Sequence, residues 1–240
     1  MPTKPRPALP PIEVPSALQA PDAWRESLSS KSPDDVDVQR ALNAQRRVAE
    51  AVEGLLSLRS SRDPRVSPGQ HLDTIDRHAR RLAEQAVSRV DEARQGLVRR
   101  MKQAQDMMTE SLAREDAHSA EVRKALRELP PEARDRAVRE AIEAGNRRVI
   151  GAVMAAPGIA SGLPDDALAS LRSVAAKRLH PELVDETARL SHVHDWLLDV
   201  AGGAQSVANA ARPTPDQRAE YEQAVTASDA ALAKLAGLDQ

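Results

Sequence analysis

Cysteine and phenylalanine are absent from this chain, and its 240 residues include only one tyrosine and two tryptophans. Without cysteine the chain forms no disulfide, has no thiol nucleophile and holds no cysteine-ligated metal. Much of its 41% hydrophobic content is alanine, which lets helices approach closely but buries little area per residue. A thick core or a β-sandwich normally requires more aromatic and β-branched side chains. The composition therefore favours helices packed in thin layers.

The chain also lacks a strong excess of charge and any long apolar run. Its formal net charge is −2, so no global positive field indicates a nucleic-acid-binding protein. No run approaches the roughly 20 apolar residues that a membrane-spanning helix needs. The N-terminal stretch MPTKPRPALPPIEVP is interrupted by proline and lacks the apolar core of a signal peptide. We therefore expect a cytoplasmic protein that has no membrane partner and is not secreted through a signal peptide.

Breaks rich in proline and glycine divide the chain into segments with helical periodicity, and no segment has the alternation of a strand. The sequence predicts an all-α fold, with a long amphipathic helix similar to a coiled coil, a small C-terminal helical bundle and an extended N-terminal arm. We expect the arm over 1–21, a helical hairpin or coiled-coil region over 22–129, and the bundle over 130–240. Prolines and caps predict helix starts at Pro131, Pro164, Pro181 and Thr214–Pro215. The helix that starts at Pro131 is expected to end before Pro157–Gly158, and the one that starts at Pro181 to end at Gly202–Gly203.

The N-terminal arm is defined by its prolines, which fix φ and remove amide donors, so we expect polyproline II without a fold of its own. Lys4, Pro7 and Pro10 have the spacing of a Lys/Arg-x-x-Pro-x-x-Pro ligand for aromatic-lined grooves. We favour docking of the arm onto a neighbouring subunit, because preset φ angles lower the cost of ordering it. A short helix is then expected over 21–29, and a second over 34–59 with Ser32 as its cap. The stripe of this second helix is predicted to be Val38, Leu42 (or Ala41), Gln45, Val48, Val52 and Leu55.

The longest predicted element is a helix over about 70–129, because His71–Leu129 contains no proline and one glycine. Its apolar residues recur every eleven positions, about 3.67 residues per turn, which predicts a nearly straight or slightly right-handed coil. At 1.5 Å per residue the helix would be about 85–90 Å long. Its apolar stripe needs the 34–59 helix, another subunit, or both. The stripe residues that we expect to contact a partner are Leu82, Val90, Leu97, Met101 and Met108.

Charge is segregated along this helix. Eight basic residues and three acids lie between Arg77 and Lys102, whereas five acids and one arginine lie between Gln103 and Glu121. Such a distribution favours antiparallel or staggered neighbours, although an ordinary solvated face explains it equally well. The alternative is contact with nucleic-acid phosphates, which the nearby acids and the lack of interleaved aromatics disfavour. The candidate phosphate contacts are Arg77, Arg81, Arg99 and Arg100.

The residue types that catalyse reactions or bind metals occur without a matching pattern. His192 and His194 are two residues apart and point to different sides of a helix, so they do not share a metal without distortion, although His180 or a partner chain could complete a site. No Gly-x-Ser-x-Gly elbow, phosphate-binding loop or dinucleotide fingerprint is present. We therefore expect no enzymatic activity, no catalytic residue, no cofactor and no metal site.

The segment VMAAPGIASGLPDDALASLRSVAAKRLHPEL follows a long charged helix. It resembles uncharacterised helical proteins encoded in phage and prophage structural-gene regions, over about a quarter of the chain. The matching positions are Ala156–Pro157, Ser161–Gly162–Leu163 and His180–Pro181–Glu182–Leu183. The resemblance implies a role in a virion or its assembly, and a location in the host cytoplasm or the virion. It implies no catalytic residue.

Taken together, these features predict a non-enzymatic structural or assembly protein that oligomerises through its helices. Its partners would be other copies of itself or a larger assembly, such as a phage capsid or head–tail structure. The alternative is a DNA- or genome-associated helical protein that uses the Arg77–Lys102 face.

Overall fold

A computed structural model of the chain describes residues 11–19, 35–61 and 63–236. Within these ranges every regular element is a helix, which confirms the all-α prediction. The helices are α1 (Ser16–Gln19), α2 (Val36–Ser60), α3 (Pro68–Leu112), α4 (Ser119–Glu128), α5 (Pro131–Glu143), α6 (Arg147–Met154), α7 (Gly158–Ser161), α8 (Asp165–Leu179), α9 (Pro181–Ala211) and α10 (Pro215–Ala236). The helix starts predicted from proline at 131, 164, 181 and 215 are therefore confirmed to within one residue.

The long helix is shorter than predicted. α3 has 45 residues and ends at Leu112 rather than near Leu129. The chain then makes a turn in which the Asp116 carboxylate accepts from the His118 amide at 2.9 Å before α4 begins. Side-chain turns of this kind compete with helix without proline or glycine, so the absence of those residues gave no sign of the break.

A second difference lies in the segment from Pro131 to Pro157, which was predicted as one helix. It forms α5 and α6, separated at Gly145, which has a φ of 67°. Only glycine adopts this left-handed conformation at little cost, and the side chain of Asn146 caps α6 by accepting from the Val149 amide.

The chain divides into two compact units. The first contains the residues up to Gln95 and those from His194 onward, and the second is Gly96–Val193. This division differs from the predicted boundary at residue 130, because α3 and α9 each contribute to both units.

In the first unit, α2 begins after Asp35, whose carboxylate accepts from the amides of Asp37 and Val38 at 3.2 Å. Asp35 is therefore the cap, rather than the predicted Ser32, which lies outside the described residues. The predicted stripe of α2 is buried, and the same unit buries side chains of α3 and of the later part of α9. The principal buried side chains are Val38, Leu42, Val48, Val52 and Leu55 of α2, Ile75, Leu82 and Val90 of α3, and Trp196, Leu197, Val200 and Val207 of α9.

The end of the predicted arm also packs in the first unit. Ser16–Gln19 forms α1, which contacts α2, and Leu18 is buried. An added Cβ on Gly203 would lie 3.2 Å from Pro15 and 3.4 Å from Leu18. Gly203 therefore makes room for this segment inside α9, and the prediction that Gly202–Gly203 ends the helix is wrong.

In the second unit, α4 contacts α6 and α7, and α5 contacts α6 and α8. Their shared core is aliphatic. Its main members are Leu126, Val138, Ile142, Ile150, Val153, Leu163, Leu168 and Leu171. The turn after α3 crosses α6 at Gly151, where an added Cβ would lie 2.1 Å from the carbonyl oxygen of Arg114.

Arginines bind the carbonyl ends of the short helices in the second unit. Arg134 donates to the carbonyls of Leu126 and Leu129 at 2.9 Å and of Arg127 at 3.2 Å, and also to that of Gly162. Further guanidinium-to-carbonyl bonds run from Arg123 to Ala152, from Arg127 to Ala160 and from Arg172 to Met154. Each places a cation near the negative end of a helix dipole.

Candidate interaction surface

α10 is the most exposed of the long helices in its unit. Among Pro215–Lys234, none of the described side chains is buried. Val225 and Leu232 are 38% and 61% exposed. These two residues are seven apart, so they lie on the same face of the helix. α10 therefore presents an apolar row that the described part of its own chain does not cover.

The base of α10 is fixed, in contrast to the rest of the helix. Thr214 and Gln217 form a reciprocal cap, with bonds of 2.9 Å and 3.3 Å between side chain and amide, which confirms the predicted cap. Tyr221 covers Gly69, where an added Cβ would lie 2.2 Å from its ring. Arg218 reaches Asp76 at 3.2 Å.

Asp76 is the centre of this attachment and is only 8% exposed. Its carboxylate accepts from Arg212 Nε at 2.8 Å and from Arg80 Nη2 at 2.9 Å. The hydrogen bond from Arg212 holds the pKa of Asp76 below its usual value against the opposing effect of burial, and Arg80 lowers it further. Sequence reasoning missed this cluster, because Arg212 is 136 residues from Asp76 and neither residue belongs to a motif.

The residues of the long helix that were predicted to contact a partner are buried or half-buried within the chain. Leu82, Val90 and Leu97 are buried within the chain, at 7%, 1% and 0% exposure, so the prediction that they meet another copy is wrong. Met101 and Met108 are half-buried. The other predicted contacts, Lys4, Pro7 and Pro10, lie outside the described residues.

The candidate phosphate contacts are partly engaged within the chain. Arg100 donates to Glu186. Arg77, Arg81 and Arg99 are exposed, and among the described residues none of the three makes an ion pair or a side-chain hydrogen bond.

Of the histidines considered as metal ligands, His194 is engaged by neighbouring side chains. Arg94 Nη2 lies 2.9 Å from His194 Nε2, and His194 Nδ1 lies 3.0 Å from Asp195 Oδ1. Because arginine only donates, Nε2 accepts and Nδ1 carries the proton. Neither nitrogen is free to bind a metal in this arrangement. Throughout the described ranges, no three His, Asp or Glu side chains are grouped as metal ligands.

None of the described helices combines the length and apolar character needed to cross a membrane. No protein-family model matches the chain, and no curated protein or solved structure is significantly similar to it. The assignment of function therefore depends on the surfaces of the chain itself.

Proposed function

We propose that this protein is a non-enzymatic structural or assembly protein, which associates with other copies of itself through its helices. The observation that supports this proposal is α10, a 22-residue helix that is fixed at its base and leaves Val225 and Leu232 in water. An apolar row at helical spacing is the feature that helices use to dock on protein surfaces. The stripe of α3 has its partners within the chain, so α10 takes the place of that stripe as the associating element.

The setting that we propose is a phage particle or an intermediate in its assembly. The resemblance of the Ala156–Leu183 segment to proteins of phage structural-gene regions favours this setting. Such assemblies repeat one contact between many copies, and an exposed helix presented in the same way by every copy suits that use.

Light scattering on the full chain tests the proposal. We expect a mass that is a multiple of 26.0 kDa and that falls to one chain in the double variant Val225→Asp, Leu232→Asp. The matched control is Val36→Asp, Ile159→Asp, which adds the same charge at two apolar side chains that are 60% and 84% exposed elsewhere. It should keep the wild-type mass. A wild-type chain that stays monomeric at every concentration would overturn the proposal.

The second candidate is a protein that binds nucleic-acid phosphates. Arg77, Arg81 and Arg99 favour it, because they are exposed and have no ion-pair partner among the described residues. Affinity for duplex DNA should then fall steeply with salt. Replacing Arg77 and Arg99 with Glu should abolish DNA retention without changing the mass. Arg100 should be left in place, because it bonds to Glu186. Absence of DNA retention at low salt would exclude this candidate.

A further inference from the structure

A groove runs between α2 and α3 in the first unit. It consists of three adjoining depressions. The middle depression, lined by Val48 and Ala86, shares Arg47 and Arg89 with the depression at one end. It shares Ala51 and Leu82 with the depression at the other end. The shared residues make the three depressions one continuous surface along the helix pair.

Small residues contribute much of the lining of this groove, beside larger apolar side chains such as Val48 and Leu82. Ala44, Ala51 and Gly54 contribute from α2, and Ala86 and Ala93 contribute from α3. Small side chains let another helix approach closely. Glycine inside a helix is destabilising relative to alanine, yet no atom of the described chain lies within 4 Å of an added Cβ on Gly54. Packing within the chain therefore gives no reason for glycine at this position, whereas close approach of another backbone does.

The walls of the groove are mainly basic. Arg47 and Arg89 are exposed, and the described part of the chain supplies no ion-pair partner for either. Arg40, also in the wall, pairs with Asp37 at 3.2 Å. Glu92 and Glu50 are the acids along this stretch. The groove thus combines an apolar lining with two arginines that face it from opposite helices.

α10 carries the complementary features. Val225 and Leu232 are seven residues apart, and so are Glu222 and Asp229, which places each pair about 10.5 Å apart along the helix. The acidic pair and the apolar pair form neighbouring rows on α10. Glu222 and Asp229 are exposed, and neither makes an ion pair within the described residues.

We propose that α10 of a second copy lies in the α2–α3 groove, with Val225 and Leu232 over the apolar lining and Glu222 and Asp229 facing Arg47 and Arg89. This inference rests on the proposed self-association and names the surface that receives α10. Because the contact joins two different surfaces, it gives either a reciprocal dimer, in which each copy donates one helix, or an open chain of copies.

Charge reversal with rescue tests this arrangement. Arg47→Glu, Arg89→Glu and, separately, Glu222→Arg, Asp229→Arg should each weaken association at least tenfold, as measured by light scattering over a concentration series. A mixture of the two variants should associate, because each supplies the surface that the other has lost. The control Arg77→Glu, Arg99→Glu makes the same change of net charge at exposed arginines outside the groove, and it should associate like the wild type.

The results separate failure of this inference from failure of the proposed function. If the groove variant associates normally while Val225→Asp, Leu232→Asp does not, α10 is the associating helix but the groove does not receive it. A monomeric wild type overturns both proposals. Association of the wild type that withstands every one of these changes overturns both the use of α10 and the use of the groove.

Cysteine cross-linking gives an independent readout, because the chain has no cysteine of its own. Ala51→Cys lies in the groove lining, and Ser228→Cys lies between Val225 and Leu232 on α10. Under mild oxidation, a mixture of the two variants should form a disulfide-linked dimer that neither forms alone. A dimer formed by Ser228→Cys alone would instead place α10 against α10 and overturn the groove.

Discussion

Replacing Arg134 with methionine should destabilise the second unit. Methionine keeps most of the aliphatic stem but removes the guanidinium, which donates to four carbonyls at the ends of α4 and α7. The bonds to Leu126 and Gly162 are partly buried, and those to Arg127 and Leu129 are exposed. Water replaces the exposed bonds at little cost, whereas a charge-assisted bond contributes about 1.5–3 kcal/mol and a buried carbonyl left unpaired costs further. Because neighbouring bonds are not additive, we expect a loss of about 2–4 kcal/mol.

Urea unfolding followed by far-UV circular dichroism measures this loss, provided that the transition of the second unit is resolved from that of the first. Arg136→Met is the matched control, because Arg136 is exposed on the same helix and makes no side-chain bond among the described residues. Its effect should stay within about 0.5 kcal/mol. Arg134→Lys should lose most of the stability as well, because an ammonium group cannot span carbonyls that a planar guanidinium reaches together. Equal stability of the two methionine variants would refute the assignment of Arg134 as a clamp on these helix ends.

Three further predictions concern residues of α2, α3 and α6. Gly151→Ala should destabilise the fold by at least about 2 kcal/mol, because its Cβ would meet a backbone carbonyl at 2.1 Å. Gly54→Ala, with open space around it, should instead raise the free energy of unfolding by about 0.5–1 kcal/mol. Thermal melts that rank the two variants in the opposite order would contradict both expectations. Gln45 is fully buried, and neither atom of its amide has a hydrogen-bond partner in the described chain. Gln45→Leu should therefore raise the free energy of unfolding by about 1–3 kcal/mol in urea titrations. A lower free energy of unfolding would show that the amide is bonded. Arg212 lowers the pKa of Asp76 in the fold. The stability that Asp76 contributes should therefore be full above its unfolded pKa of about 3.9 and be lost as the pH falls through the lowered folded pKa. Asp76→Asn should remove this part of the acid dependence of the free energy of unfolding, and an unchanged pH profile would contradict the role of Asp76.

The parts of the fold that could be predicted from sequence are those that local chemistry decides. Proline at the first turn located the start of α9 and α10 correctly, because the ring fixes φ and needs no amide partner. The periodicity of α2 identified its buried face for the same reason, since helix geometry alone sets which residues share a side.

The errors arose where a distant segment decides the outcome. The helix end predicted at Gly203 is wrong because Pro15 and Leu18 pack there, and nothing near position 203 indicates them. The stripe of α3 was expected to meet another copy, since periodicity shows that Leu82 is buried but not what buries it. The attachment of α10 through Asp76 was missed because two of the three arginines that converge on this carboxylate, Arg212 and Arg218, come from the distant α9–α10 junction.

α10 differs from the other long helices in how it is stabilised, and this difference bears on how it would associate. Isolated helices of about this length are marginal in water, but α10 is rich in alanine, the strongest helix former. Its cap at Thr214 and the bond from Arg218 to Asp76 fix its first turns, and so remove part of the cost of starting the helix. A helix that is ordered before it binds loses little conformational entropy on docking. In the proposed contact, the exposed ion pairs should make the assembled mass fall as salt is raised.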